Sequence, residues 1–498
     1  MTLLVWTLGV PLLTGVIGSL GDLRKPNAAN SIIMAGGLAL TFVLSVATAA
    51  QFLGGQIPAA FGDALRVDGL SALVLVLCGF VGLLSGVYGI GYLRRNEARR
   101  LVTPRMRRKF YALIPAYVFA MLLVSVSNNL GIMWIAVELT TLGSVFLVSY
   151  HDRDTSLEAA WKFLMLGSLG LAFALFGTVL LFASGQGHLG EGMSALHWTR
   201  FMQVAPDLQG FTLRLGVVFA LIGYGTKAGL APMHTWKPDA YREAPSPAGV
   251  LMAVGMVNGA LYCILRIHLI SKASVGPEFS SGLLLMLGLL SVLIATPFML
   301  IQWNLKRLLA YSSIEHVGIM AVGVGLGAEA GVFGALLHMT YHSFAKPVAF
   351  FSAGTLAQLH SSSDFDRLGD GTFTRAPVAS ALFVLAAVII TGSPPFGIFF
   401  SEMTILRAGF LGSHVTATSI FLAALVVLFC GFAYQVGRLV LGPPRDPAER
   451  RHPLPERFDL AAATAIVAAI LAVVSAFYLP APLVALIHAA TAVVGGTR

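Results

Sequence analysis

The chain has 498 residues, of which 57% are hydrophobic and only 11% charged. Soluble domains carry about 25% charged residues, so a water-soluble globular protein is excluded in favour of one that crosses a membrane many times. The net charge of +9 does not point to nucleic acid, because the basic residues sit in short loops between apolar stretches, the footprint of membrane topology.

Taken in order, apolar stretches of about 20 residues recur from end to end, the length a helix needs to cross the hydrocarbon layer. Spans fall near 2–20, 31–53, 69–92, 110–127, 129–150, 159–184, 212–234, 246–269, 280–302, 308–327, 331–356, 377–400, 416–440 and 459–480, fourteen in all. The expected fold is an all-α polytopic membrane protein. The first span lacks a basic n-region and reads as a retained helix rather than a cleaved signal; the tail after Leu479 has room for a short interfacial helix. Cys78, Cys263 and Cys430 lie inside spans without a C-x-x-C pair, which argues against disulfides, iron–sulfur ligation and zinc fingers. Loops after odd-numbered spans carry Arg24-Lys25, the run Arg94 to Lys109, Arg153, Lys237 with Arg242, Lys306-Arg307, Arg367 with Arg375, and Arg445 to Arg457. The positive-inside rule makes these cytoplasmic and puts both termini on the outer, periplasmic side of the inner membrane.

Two spans are interrupted: the seventh at Gly229-Leu-Ala-Pro232 and the twelfth at Gly392-Ser-Pro394-Pro395-Phe-Gly397. Gly and Pro weaken the helix ladder, and backbone freed in mid-membrane needs protein or water as partner. The breaks lie five spans apart, as do the intramembrane acids Glu138 and Glu315. Units of an odd number of spans face opposite ways, so spans four to eight (110–270) and nine to thirteen (271–440) read as an inverted repeat. Residues 1–109 and 441–498 flank it, and function is expected near the midplane.

The polar residues inside the spans carry the functional reading. Lys227, near a bilayer centre, costs roughly 2.5–3.5 kcal/mol, so it is rarely accidental. Glu138 would pair with it, and moving that anion away would favour release of the lysine's proton. His234 follows the first break. Lys162 either snorkels to the cytoplasmic surface or joins the path; Lys306 and Arg307 are positive-inside anchors or functional. His338, His342 and Lys346, at i, i+4 and i+8, share one helix face along which neutral imidazoles could pass protons. The histidine pair lacks a third metal ligand, and bonding between helices is the other use of such a face. Glu315-His316 places two titratable groups together, or forms a local salt bridge. Glu402 follows the second break as the counterpart of Lys227. Gly323, Gly325 and Gly327 fit close helix packing rather than nucleotide binding. No nucleophile–base pair is visible, and the row of ionisable groups points to a proton or cation conductor.

Four stretches, Asn128-Asn-Leu-Gly-Ile-Met-Trp-Ile-Ala-Val-Glu138, Gly225-Thr-Lys-Ala-Gly-Leu-Ala-Pro-Met-His-Thr-Trp236, Pro238-Asp-Ala-Tyr-Arg-Glu-Ala-Pro-Ser-Pro247 and Lys306-Arg-Leu-Leu-Ala-Tyr-Ser-Ser313, resemble the antiporter-like membrane subunits of respiratory complex I and the Mrp antiporters. The form Tyr311-Ser-Ser-Ile-Glu-His316 looks most like the hydrogenase-4 component F type, from membrane-bound NiFe-hydrogenase and formate-hydrogenlyase complexes. The resemblance implies fourteen helices with the seventh and twelfth broken, Glu138 paired with Lys227, a central hydrophilic axis through His338, His342 and Lys346, and Glu402 at the terminal position. It implies proton or sodium translocation by a subunit without cofactor of its own. Its partners would be other antiporter-like subunits and peripheral hydrogenase-type redox subunits with iron–sulfur clusters and a NiFe centre. An Mrp-type antiporter subunit or the membrane subunit of an inorganic-carbon uptake system is the alternative. One departure stands out: Asn258 occupies the eighth-helix position where complex I subunits usually carry Lys or His, and Asn cannot take up a proton.

Overall fold

A computed structural model describes residues 3–20, 28–208, 210–368, 372–441 and 456–495. The charges Arg24-Lys25 and Arg445 lie outside them. The order is α1 (Leu3–Leu20), α2 (Ala28–Leu53), the two-residue strands β1 (Ala59–Ala60) and β2 (Leu65–Arg66), α3 (Gly69–Ala98), α4 (Pro104–Val126), α5 (Leu130–Val148), α6 (Asp154–Ser184), α7 (Trp198–Val204), α8 (Phe211–Ala228), α9 (Lys237–Glu243) and α10 (Ser246–Val250). A π-helical turn, Leu251–Met256, joins α10 to α11 (Val257–Val275). There follow α12 (Pro277–Leu300), α13 (Leu305–Gly325), α14 (Glu329–His360), α15 (Phe365–Leu368), α16 (Pro377–Ile390), α17 (Gly397–Leu411), α18 (Val415–Leu441), α19 (Leu460–Phe477) and α20 (Ala481–Gly495).

Among the described residues eleven helices are long and apolar enough to cross a membrane. The expected spans at 212–234, 331–356 and 377–400 are not in that set, for two reasons. The chain leaves helical geometry after α8 and between α16 and α17, and α14, though 32 residues long, carries His338, His342 and Lys346. Low hydropathy here marks polar groups that face the bundle interior, where lipid does not reach them.

Burial sorts the helices into layers. The continuous helix Ser246–Val275 and α13 are wholly enclosed, and α3 nearly so; α1, α2, α6, α12 and α18 show about a third of their apolar windows to the bundle and the rest outward. Small residues let the inner helices approach closely, as association in lipid requires. A Cβ on Gly177 would meet Gly216 O at 2.7 Å between α6 and α8, and one on Gly288 would meet Gly318 O at 2.8 Å between α12 and α13. Gly323 also packs closely, against Gly331 O, but Gly327 sits beyond the end of α13 with φ +72° and turns the chain there.

Two asparagines begin equivalent helices at opposite ends of the bundle. Asn129 Oδ1 accepts the Gly131 and Ile132 amides at the head of α5, and Asn304 Oδ1 accepts those of Lys306 and Arg307 at the head of α13. Beside the first, Asn128 Nδ2 donates to Asp63 O of the β1–β2 hairpin at 2.8 Å; the second bonds Ser363 and Asp364, near the far end of α3. The tail after Leu479 forms α20, which packs along α3 and α14.

Candidate functional site

The α8 break is built from its own sequence. Gly229 takes φ +81°, which a residue with Cβ resists, and its amide and that of Leu230 return to Gly225 O in a Schellman-like cap. Pro232 has no amide to continue the ladder. The carbonyls this leaves are taken up by side chains of the following turn. Trp236 Nε1 donates to Thr226 O at 2.9 Å, Lys237 Nζ donates to Ala228 O at 2.6 Å, and Ser291 Oγ accepts the Ala231 amide at 2.8 Å. The second break repeats the device. Gly392 has φ +66°, and the Glu402 carboxylate lies where a Cβ on that glycine would stand.

Lys227 ends α8, 1% exposed. Its Nζ donates to Thr141 Oγ1 at 2.8 Å and lies 4.8 Å from the Phe163 ring centre. Glu138, on the same helix as Thr141, is within electrostatic range of Lys227, yet no ion pair within 4.0 Å joins the two, and Glu138 Oε2 has no hydrogen-bond partner among the described residues. The direct pair expected from sequence is thus replaced by a hydroxyl contact. Glu138 sits half-buried, between the outward-facing Ile135 and Leu139.

On the other side of the bundle His316 Nδ1 lies 2.9 Å from His338 Nε2, and His338 Nδ1 lies 2.9 Å from Ser401 Oγ, which donates to Ile398 O at 2.7 Å. That last bond assigns the protons, because a hydroxyl has one hydrogen to give. Ser401 accepts from His338 Nδ1–H, so His338 Nε2 accepts from His316 Nδ1–H, and the unpartnered His316 Nε2 keeps a lone pair. A proton arriving at His316 Nε2 could therefore move on through both rings without either turning. The His342 ring centre is 5.0 Å from that of His316, and its two nitrogens have no hydrogen-bond partner among the described residues. Lys346 Nζ donates to Ser312 Oγ at 2.9 Å and is within electrostatic range of Glu315. Glu315 makes no ion pair with His316; the imidazole engages His338 instead. All of these groups are buried, Glu402 included.

Two expectations about lysines change places. Lys162 stands on the surface with half its side chain exposed, its Nζ 2.6 Å from Glu158 and 3.5 Å from Asp239, apart from the buried row. Lys237, placed by sequence among the cytoplasmic loop cations, is 0% exposed. Its charge reaches Lys346, His342, His316 and His234. His234 itself is buried with Nδ1 unpartnered. The signal that could have found Lys237 is the break, since a chain that leaves its helix in mid-membrane is still inside a few residues later. Lys306 is also buried, its Nζ donating to Ala244 O at 2.8 Å. It borders a polar cavity of about 360 Å³ lined by Arg99, Arg153, Arg242 and Asp364. Asn258 follows the π turn, and its Nδ2 donates to Ser343 Oγ at 3.0 Å.

Residues 127–427 match the family described as NADH:quinone oxidoreductase/Mrp antiporter, transmembrane. The chain is 35% identical over 384 residues to a hydrogenase-4 component F homolog of Methylacidiphilum infernorum, covering 77% of this chain and 80% of that one. Among solved structures, a chain of the membrane-bound sulfane sulfur reductase, an archaeal respiratory membrane complex, superposes with a TM-score of 0.85 at 21% identity over 99% of this chain and 97% of the other. A chain of respiratory complex I from Thermus thermophilus gives 0.74 at 25% identity, covering 96% and 99%. With its family match over more than half its length, the chain belongs to the NADH:quinone oxidoreductase/Mrp antiporter family of multi-pass membrane proteins, as an antiporter-like subunit.

Proposed function

We propose that this subunit translocates protons, or sodium ions, across the inner membrane within a redox-driven complex of hydrogenase-4 type. The observation that carries the reading is the buried row of ionisable groups from Lys227 past Lys346 and the histidines to Glu402, each bonded to protein rather than facing lipid. Such residues within membrane segments mark ion pathways. The asparagine-headed helices α5 and α13 at opposite ends, and the glycine breaks after α8 and α16, support two inverted units over 110–270 and 271–440. Both termini would then lie on the periplasmic side. Neighbouring antiporter-like subunits and a peripheral hydrogenase-type partner would supply the driving reaction, with any iron–sulfur or NiFe centre in the partner.

In this reading a charge change beside Glu138 alters the field on Lys227. Lys227 exchanges Thr141 for a new partner and gives up its proton toward the histidines, and Glu402 exchanges it with the far side. The test is Lys227→Ala in the intact complex purified through this chain and returned to vesicles. Redox-driven acidification, followed with a pH-sensitive dye, is expected to fall at least about tenfold, a barrier rise of about 1.4 kcal/mol. Unchanged acidification by a fully assembled complex would remove Lys227 from the path.

A further inference from the structure

We propose that Lys237 is the proton carrier that joins the two halves of the path, in the place left without a titratable group by Asn258; the inference rests on the transport reading above. Asn258 cannot serve, because an amide neither gains nor loses a proton near neutral pH, and its Nδ2 is committed to Ser343.

Lys237 opens α9, which packs against α5 and α6 on one side and α13 on the other. It therefore stands on the seam between the helices that hold Lys227 and Thr141 and the helix that holds Glu315 and His316. Its Nζ hangs from the carbonyl of Ala228, the residue next to Lys227. The groups facing it are His234 on its own turn, Tyr241 one turn on with its ring centre 5.9 Å from Nζ, and Lys346, His342 and His316 across the seam. No carboxylate lies within 4.0 Å of it among the described residues.

A purely structural role accounts poorly for the residue. Capping Ala228 O needs one neutral donor, which Gln or Ser could supply. A buried ammonium costs roughly 2.5–3.5 kcal/mol more than a polar group the membrane tolerates. It also brings three N–H donors, of which one is paired with a protein acceptor. What an amine offers beyond a cap is a labile proton and a flexible stem. The second break strengthens the assignment. There the titratable Glu402 rests on the left-handed glycine, as the Lys237 head rests on Gly229, with Nζ 2.7 Å from where a Cβ would be. The residue matching Glu402 by position is therefore Lys237, which follows its break, and not Lys227, which precedes it. The step is proton exchange alone: the neutral amine of Lys237 accepts the proton Lys227 gives up and passes it to the imidazole and amine groups of α13 and α14.

The test uses three variants of the intact complex in vesicles, with redox-driven acidification as readout and subunit composition as control. Lys237→Gln keeps a donor for Ala228 O but cannot carry a proton; Lys237→Arg keeps charge and donors but does not release its proton. Both are expected to lower acidification at least tenfold while the complex assembles normally. Acidification within twofold of wild type in either variant overturns the proposal, since a cap or a fixed charge would then suffice. Adding Asn258→Lys to Lys237→Gln is expected to restore at least a third of the flux, and no recovery in an assembled complex overturns the claim that Lys237 stands in for that position. The Lys227→Ala control separates the two levels. If it abolishes flux while Lys237→Gln does not, this inference alone fails; if it leaves flux intact, the transport reading beneath it fails.

Discussion

At the scale of single residues, the histidine pair is where proton positions can be assigned, and it yields a direct test. Ser401 accepts from His338 while donating to Ile398 O, so its hydroxyl fixes the tautomer of both rings. Ser401→Ala leaves His338 Nδ1–H buried without an acceptor, at a cost of about 1–3 kcal/mol, and frees the ring to reverse. Proton flux is expected to drop about tenfold, for a barrier raised by about 1.4 kcal/mol. Ser401→Thr, which keeps the hydroxyl, should hold most of it; equal loss in both would point to packing instead. Much at this scale was legible in the sequence. The i, i+4, i+8 spacing put His338, His342 and Lys346 on one face, and the apolar setting of Lys227 and Glu402 marked them as purposeful. What could not be read was who touches whom. Thr141 and Ser401 are ordinary residues in apolar helices until the fold brings Lys227 and His338 to them, and Glu138 and Lys227 proved to be neighbours in field rather than in contact.

At the scale of elements, the breaks depend on one backbone geometry. Gly229 is left-handed, which costs a residue with Cβ about 1–2 kcal/mol, and an added Cβ would meet Lys237 Nζ at 2.7 Å. Gly229→Ala is therefore expected to lower the thermal stability of the purified complex and to cut flux by displacing the ammonium. Gly409→Ala, an α17 glycine away from both breaks, makes a useful comparison. If Gly229→Ala matches wild type in both measurements, the left-handed turn is dispensable. The positions of both breaks were visible as Gly–Pro clusters. Their consequence for Lys237 was not, because hydropathy treats a helix end as an exit from the membrane, whereas here the chain turns and stays inside.

At the scale of the molecule, α3 ties the chain's two ends together. Its glycines approach α2 at Ser45, α4 at Val118, α19 at Ala461 and α20 at Ala489. Arg95 on α3 reaches Asp459, the residue that caps α19, with two bonds of 2.6 and 2.7 Å. Burial pushes the Asp459 carboxyl up, but the Arg95 guanidinium and the Ala462 amide outweigh it and hold the group below the ordinary carboxylate range. A carboxylate held low in the folded state stabilises above its unfolded value of about 3.9, and that contribution is lost as pH falls through the folded value. The Tm gap between wild type and Asp459→Asn should thus be widest near neutral pH and close in acid. A gap that stays constant with pH would assign the effect to packing. Composition alone established a multi-pass α-helical membrane protein. That α20 continues along α3 depends on distant segments finding each other, which local pattern does not encode.

The side chains that satisfy the first break have one more consequence. Trp236 and Lys237 act as an anhydrous solvent for the carbonyls of Thr226 and Ala228. The indole is a fixed part of that solvent, but the ammonium is on a tether. Whenever it swings away, Ala228 O is bare in a region where an unpaired carbonyl costs several kcal/mol, and a water molecule must follow it in. Wetting of the membrane's centre is thereby tied to the transit of a charge. Between transits the ammonium acts as a stopper, and the pathway stays dry against leak.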